Sequence, residues 1–296
     1  MRIPVNPSLT LYDLAADPIE EWHRMFRFVD LSQDDLDAMS RTSEILLGRA
    51  REFVVGTYDY LRSVPETAAI LGWSNEVDEN HLEERRRFFT IWLARTVGLD
   101  TSDEFANYLF RAGKFHAGHG PRHIHTPPAY VTTSIGRVLA AFAGYLSEAN
   151  FPAGALAQAM GGWSKYLNLQ LNQMLFGYQI AVDYEKGDFP VHFSTFGRMR
   201  NIVGQRKFDI NAERDANLAD MLRKFFNYYP QARADALDRA WDSEEKDDSL
   251  WVEVRPVYVP KKGWRILLNG RDVSYEGGFE MKVHPKDKID IFPPGR

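Results

Sequence analysis

The strongest constraint on how this chain folds is a change of hydrophobic period near residue 185. From about residue 18 to that point apolar residues recur every three or four positions, the spacing of helices that bury one face. Leu46, Ala50, Phe53, Val54, Thr57, Tyr58 and Leu61 form one stripe, and Ile135, Val138, Leu139, Phe142 and Leu146 a second. Trp163, Leu167, Leu171, Met174, Leu175, Tyr178 and Val182 form a third. With Pro65, Gly98, Pro127, Pro128 and Pro152 as punctuation, the pattern predicts seven or eight helices and essentially no strand. Ser32, with Asp35 three residues on, predicts a capping pair that opens a helix at Leu36.

After Glu185 the segment Lys186-Gly-Asp-Phe-Pro190 reads as a linker, and two-residue alternation takes over. Strands are predicted at Val191–Phe196, Trp251–Arg255, Trp264–Leu268 and Lys288–Phe292, with one helix carrying Leu218, Met221, Leu222, Phe225, Phe226 and Tyr229 and ended by Pro230. Asn269-Gly270 is a turn signal. Asp242 to Asp248 reads as a solvated acidic insertion loop. The expectation is two domains, an all-α one over 1–185 and an α+β one over 191–296, joined by residues 186–190.

Composition narrows the chemistry. At 44% hydrophobic and 13% aromatic residues, the 296-residue chain is of globular type. A net charge of -5 argues against a nucleic-acid footprint, and Arg85, Arg86 and Arg87 read as a solvated helix edge. No cysteine is present, which excludes disulfides, iron–sulfur clusters, thiolate zinc and cysteine nucleophiles. Met1 to Tyr12 lacks the pattern of a signal peptide. No apolar run reaches the roughly 18 residues of a membrane span, so a cytoplasmic location is expected.

Four of the eight histidines, His116, His119, His123 and His125, fall within residues 113–130, where a helix breaks at Gly118, Gly120 and Pro121. Imidazole is the commonest protein metal ligand. A zinc or nickel site is one reading, with His116 and His119 spaced i,i+3 and His123 or His125 as third ligand. It needs neither an internal pocket nor Tyr58.

Gly56-Thr-Tyr-Asp-Tyr-Leu61, Pro65-Glu-Thr67, His116-Ala-Gly-His-Gly120 and Pro128-Ala-Tyr130, set in an all-helical domain, resemble the protoglobin and globin-coupled sensor family over residues 20–185. The resemblance implies a globin fold, haem b, and His116 as the iron's proximal ligand. It places Tyr58 on the opposite face as hydrogen-bond donor to a bound diatomic gas, dioxygen first. His116 is also the cluster member furthest inside the helical pattern. Phe53, Phe88, Phe89 and Trp92 would wall the pocket, with Tyr130 beside it. His119 would stand behind the ligand or in solvent. The family pattern lacks the extra residues Pro121 to His125, so His123 and His125 are expected in an exposed loop, and His81 is not expected to reach iron. The third stripe, around Trp163 to Tyr178, would supply a dimer surface.

Leu267-Leu-Asn-Gly-Arg-Asp-Val273, Gly277-Gly278 and Lys286 to Gly295 resemble the ubiquitin-like β-grasp sulfur carriers, the molybdopterin synthase small subunit and its thiamine-pathway relative, over residues 190–296. Those carriers act through a flexible terminal diglycine. Here the residues are Pro293-Pro-Gly-Arg296, so a module that binds a protein partner is expected instead. Taken together, these readings predict a gas or redox sensor and not an enzyme. A cofactor-assembly protein with a regulatory globin, or a haem-free dimeric scaffold, are the alternatives.

Overall fold

The computed structural model describes residues 6–245 and 252–295. It divides into two compact units, one of residues 18–179 and one of residues 1–17 with 180–296.

The helical unit opens with α1 (Pro18–Phe28), α2 (Gln33–Ser40), α3 (Ser43–Gly48), α4 (Ala50–Ser63) and α5 (Pro65–Ile70), then α6 (Glu79–Val97) and α7 (Asp103–His116). It closes with α8 (Pro128–Glu148) and α9 (Ala153–Glu185), whose last residues, from Ile180, group with the second unit. The Ser32–Asp35 capping box is present: the Ser32 hydroxyl accepts from the Asp35 N–H at 3.2 Å, and the Asp35 carboxylate accepts from the Ser32 N–H at 3.0 Å. It opens α2 at Gln33, three residues before the predicted start, because a capping residue precedes the first turn directly. Trp22, Leu93, Phe105, Phe142, Trp163 and Tyr166 fill the core, each buried. The described helices outnumber the prediction because α2, α3 and α5 are only six to eight residues long, too short to show a period of their own.

In the second unit β1 (Phe189–Thr195) is followed by α10 (Gly197–Val203), β2 (Lys207–Ala212), α11 (Leu218–Tyr228) and α12 (Pro230–Ala236). Then come β3 (Leu237–Glu245), β4 (Val252–Pro260), β5 (Arg265–Leu268), β6 (Arg271–Asp272) and β7 (Lys288–Phe292). The main sheet runs β2-β1-β7-β5-β6, with β1 antiparallel to β2 and parallel to β7, and β5 antiparallel to β7 and β6. A hairpin strand paired in parallel with the last strand, a helix packed across one face and two further strands at the far edge make the β-grasp order. α11 buries Leu218, Met221, Leu222, Phe225 and Phe226 against Val191, Phe193, Ile210, Ile266, Leu268, Ile289 and Ile291, and Phe225 stacks on Phe193 at 5.6 Å.

Three expectations are corrected here and one is extended. The 186–190 linker is already strand from Phe189. Asp242 to Glu245 continue β3, their backbones paired with Val252 to Arg255 of β4; the rest of the predicted acidic loop, and Trp251, lie outside the described residues. α11 ends at Tyr228 with Tyr229 as its cap, before Pro230 as expected, and Pro230 has a second role. It opens α12, where its missing N–H costs nothing. The segment 6–17, expected with the helices, packs into the second unit: Leu11 is fully buried, its N–H donates to the Tyr258 carbonyl at 2.8 Å, and the Tyr258 N–H returns the bond at 3.0 Å.

The C-terminal residues of this unit lie packed down. Phe292 stacks on Phe196 with ring centroids 4.0 Å apart, and a side chain at Gly197 would meet Pro293 at 2.8 Å. Arg296, on which the tail reading turned, lies outside the described residues.

Candidate functional site

α7 is capped by Ser102, whose hydroxyl accepts from the Phe105 N–H at 3.2 Å. It turns Phe105, Ala106, Leu109, Phe110 and Gly113 inward. Close to its end it meets α9 backbone to backbone: a Cβ at Gly113 would lie 1.9 Å from the Met174 carbonyl oxygen, and one at Gly177 would lie 2.0 Å from that of Phe110. Glycine is the residue that permits this approach, and the crossing fixes the last turn of α7, which closes on His116.

His116 Nδ1 lies 2.7 Å from the Ala112 carbonyl oxygen one turn back. A carbonyl only accepts, so the proton sits on Nδ1 and the lone pair on Nε2. Burial, with the positive charge of Arg85 in support, holds the ring below the usual imidazole range against the opposing carbonyl bond. The ring is therefore neutral at pH 7, and its Nε2 makes no hydrogen bond among the described residues. A neutral imidazole with one nitrogen tied to a carbonyl and the other bare is the form in which histidine ligates iron. The residues present fit a haem ligand at this position.

The other three histidines diverge from it. His119 is half-buried in the turn after α7, its N–H bonded to the Lys114 carbonyl at 3.1 Å. His123 is exposed with φ +50°, and the His125 ring meets the Tyr178 hydroxyl at 2.7 Å. The loop folds back on the end of α7 through the Thr126 N–H, which donates to the His116 carbonyl at 2.8 Å. Its Arg122 pairs with Glu84 at 2.7 Å and with Asp78 at 3.5 Å, at the start of α6. No group of three or more histidine, aspartate or glutamate side chains able to hold a metal occurs among the described residues. The histidine-only zinc reading is thereby corrected: the four imidazoles share a stretch of sequence and no common point.

α4 and α6 bring together most of the predicted pocket wall. Phe53 lies 5.6 Å from Phe89, which stacks on Trp92 at 5.1 Å and meets Tyr58 edge-on at 5.9 Å. Phe88 points elsewhere, 42% exposed, and Tyr130 in the first turn of α8 is 36% exposed. Tyr58 donates its hydroxyl proton to the Arg85 carbonyl at 3.0 Å, and burial raises its pKa to about 12.

The sequence reading missed Arg85. It is half-buried, not part of a solvated edge, and its Nε donates to His81 Nε2 at 2.9 Å. His81 is buried, with Trp73 Nε1 at 3.2 Å from its Nδ1. The available signal was the i,i+4 spacing of His81 and Arg85, which puts both on one helix face.

A protoglobin family model matches residues 19–183. No curated protein matches the chain. Among solved structures, the small archaeal modifier protein 1 of Methanosarcina acetivorans is similar at 20% identity, over 36% of this chain and 93% of that one, with a TM-score of 0.27. Its Haloferax volcanii counterpart is similar at 16% identity, over 36% and 96%, with a TM-score of 0.26. The strand order described above carries the β-grasp assignment. No described helix is long and apolar enough to cross a membrane.

Proposed function

The chain belongs to the protoglobin family through residues 19–183, and from that premise we propose that it is a haem-binding gas sensor. In this reading its helical unit holds haem b on His116 Nε2 and its β-grasp unit docks a protein partner. The observation that carries the reading is the His116–Ala112 bond at 2.7 Å, which fixes the tautomer a proximal ligand needs. A bound haem would supply an iron able to bind a diatomic gas, dioxygen first.

The chain's own groups then divide the work. Tyr58, with its pKa raised to about 12, keeps its proton at neutral pH and is a donor. The hydroxyl donates to the Arg85 carbonyl, so donation to a gas requires it to leave that bond. Phe53, Phe89 and Trp92 supply an apolar wall that excludes water. The β-grasp unit serves as a docking module, with Phe292 and Pro293 at the end of β7 packed against Phe196 and Gly197. Gas binding alters docking only as far as the two haem states differ in free energy toward the partner-competent form. A homodimer is part of the proposal, but Trp163, Tyr166 and Leu167 of the third stripe are fully buried in the helical core and give it no surface.

The test is the absorption spectrum of the full chain mixed with haemin, in ferric, ferrous and carbonyl forms. A Soret band that weakens or shifts in His116→Ala supports the reading; a chain that takes up no haem overturns it.

A further inference from the structure

His81 and Arg85 sit one turn apart on α6, and the ring of His81 is pinned between two donors. Arg85 Nε–H points at Nε2 from 2.9 Å and Trp73 Nε1–H points at Nδ1 from 3.2 Å. A neutral imidazole carries one lone pair and one N–H, so it accepts at one nitrogen only. Burial and the charges of Arg85 and Arg122, opposed by Asp78 and Glu84, hold the ring below its usual range, hence neutral. One of the two contacts is therefore donor against donor. With the charged guanidinium on Nε2 the proton is on Nδ1, facing the indole N–H, and Trp73 is the loser. With the proton on Nε2, Trp73 is satisfied and Arg85 must find another acceptor.

Arg85 lacks one among the described residues. Its two Nη groups make no hydrogen bond or ion pair there, while Arg86 pairs with Glu83 and Asp59, and Arg122 with Glu84 and Asp78. Its charge nonetheless reaches both His116, where it adds to the lowering by burial, and Tyr58, where it opposes the rise that burial causes. A half-buried guanidinium with both Nη groups unpaired among the described residues has the donors that a carboxylate or other small anion accepts from.

We propose that Arg85 is an anion-binding residue latched by His81: a haem carboxylate or a small inorganic anion draws the guanidinium off Nε2, and His81 changes tautomer to accept from Trp73. The ring loses the proton on Nδ1 and gains one on Nε2, both exchanged with water, so its charge is unchanged. Arg85 thus has a latched and a released state, and the anion selects the second. The link to haem rests on the proposed function; the latch itself does not.

The experiment follows His81 in the full chain labelled with 15N-histidine, its signals assigned by their loss in His81→Phe. Sodium azide added to haem-free protein is expected to move the ring proton from Nδ1 to Nε2. Arg85→Met is expected to hold the Nε2–H form throughout and to bind azide about tenfold more weakly, the size of one charge-assisted hydrogen bond. Arg85→Lys, which keeps the charge and loses the Nε–H, is expected to retain most of the azide affinity with His81 in the Nε2–H form. Haem and haem dimethyl ester separate the two sources. A tautomer change with haem alone identifies the carboxylate; a change that appears only when azide is added to the loaded protein identifies the small anion. A chain that binds no haem defeats the sensor reading and leaves the azide titration intact. A His81 tautomer indifferent to azide, or an azide affinity unchanged in Arg85→Met, overturns the latch.

Discussion

Tyr58 shows how one hydroxyl can be claimed twice. The family resemblance places it over the iron, and the structure gives its proton to the Arg85 carbonyl. Tyr58→Phe is expected to destabilise the haem-free chain by about 1 kcal/mol, the net value of one such bond, read as a lower urea midpoint at unchanged slope. In the loaded protein the same substitution is expected to speed dioxygen release about tenfold, measured by stopped-flow. An unchanged rate would mean that the hydroxyl stays on the carbonyl. The sequence singled out His116 as a candidate because its spacing to Gly120 and its place at a helix end are local facts. Arg85 stayed hidden because three successive arginines read as surface. Only its bond to the buried His81 separates the first of them from Arg86 and Arg87.

Helices in this chain are positioned by what their glycines leave out. At Gly113 and Gly177 an added methyl would fall on a neighbouring carbonyl, so Gly113→Ala or Gly177→Ala must push α7 and α9 apart. The expected cost is about 1–3 kcal/mol or more, seen as a lower melting temperature by circular dichroism. Gly161 lies in the same α9 with nothing within 4 Å of its missing Cβ. Gly161→Ala is expected to be neutral or to stabilise by up to about 1 kcal/mol, which makes it the internal control. At this scale the long helices were readable, since α6, α8 and α9 run 19 to 33 residues and repeat their stripe several times. β2 was not, although Phe208, Ile210 and Ala212 alternate toward the core. Six residues with a lysine, an aspartate and an asparagine between them carry too weak a contrast. β3 failed for a different reason: its acidic end is held as strand by backbone pairing with β4, which composition does not report.

Across the whole molecule, proton binding and chain order each make a claim about stability. His116 and His81 are both lowered by burial, so the unfolded chain takes up protons near pH 6.5 that the folded chain refuses. Stability of the haem-free protein is therefore expected to be full above pH 6.5 and to decline as pH falls from there toward the lowered folded-state values. Denaturant titrations between pH 8 and pH 5 check this, and His81→Phe should flatten part of the slope. Chain order matters because Leu11 precedes the whole helical unit yet belongs to the β-grasp core, fully buried and bonded in both directions to Tyr258. Arg233 secures the same segment, donating to the Ala15 carbonyl at 2.6 Å and pairing with Asp17 at 3.3 Å. Leu11→Ala leaves a cavity that costs about 2–5 kcal/mol for a leucine, and the loss should fall on the β-grasp unit alone. Hydrogen exchange measures the two units separately: amides of β1, β7 and α11 are expected to lose protection while those of α7 and α8 keep theirs. The opposite result, with α7 and α8 weakened instead, would show that residues 6–17 support the helical unit after all.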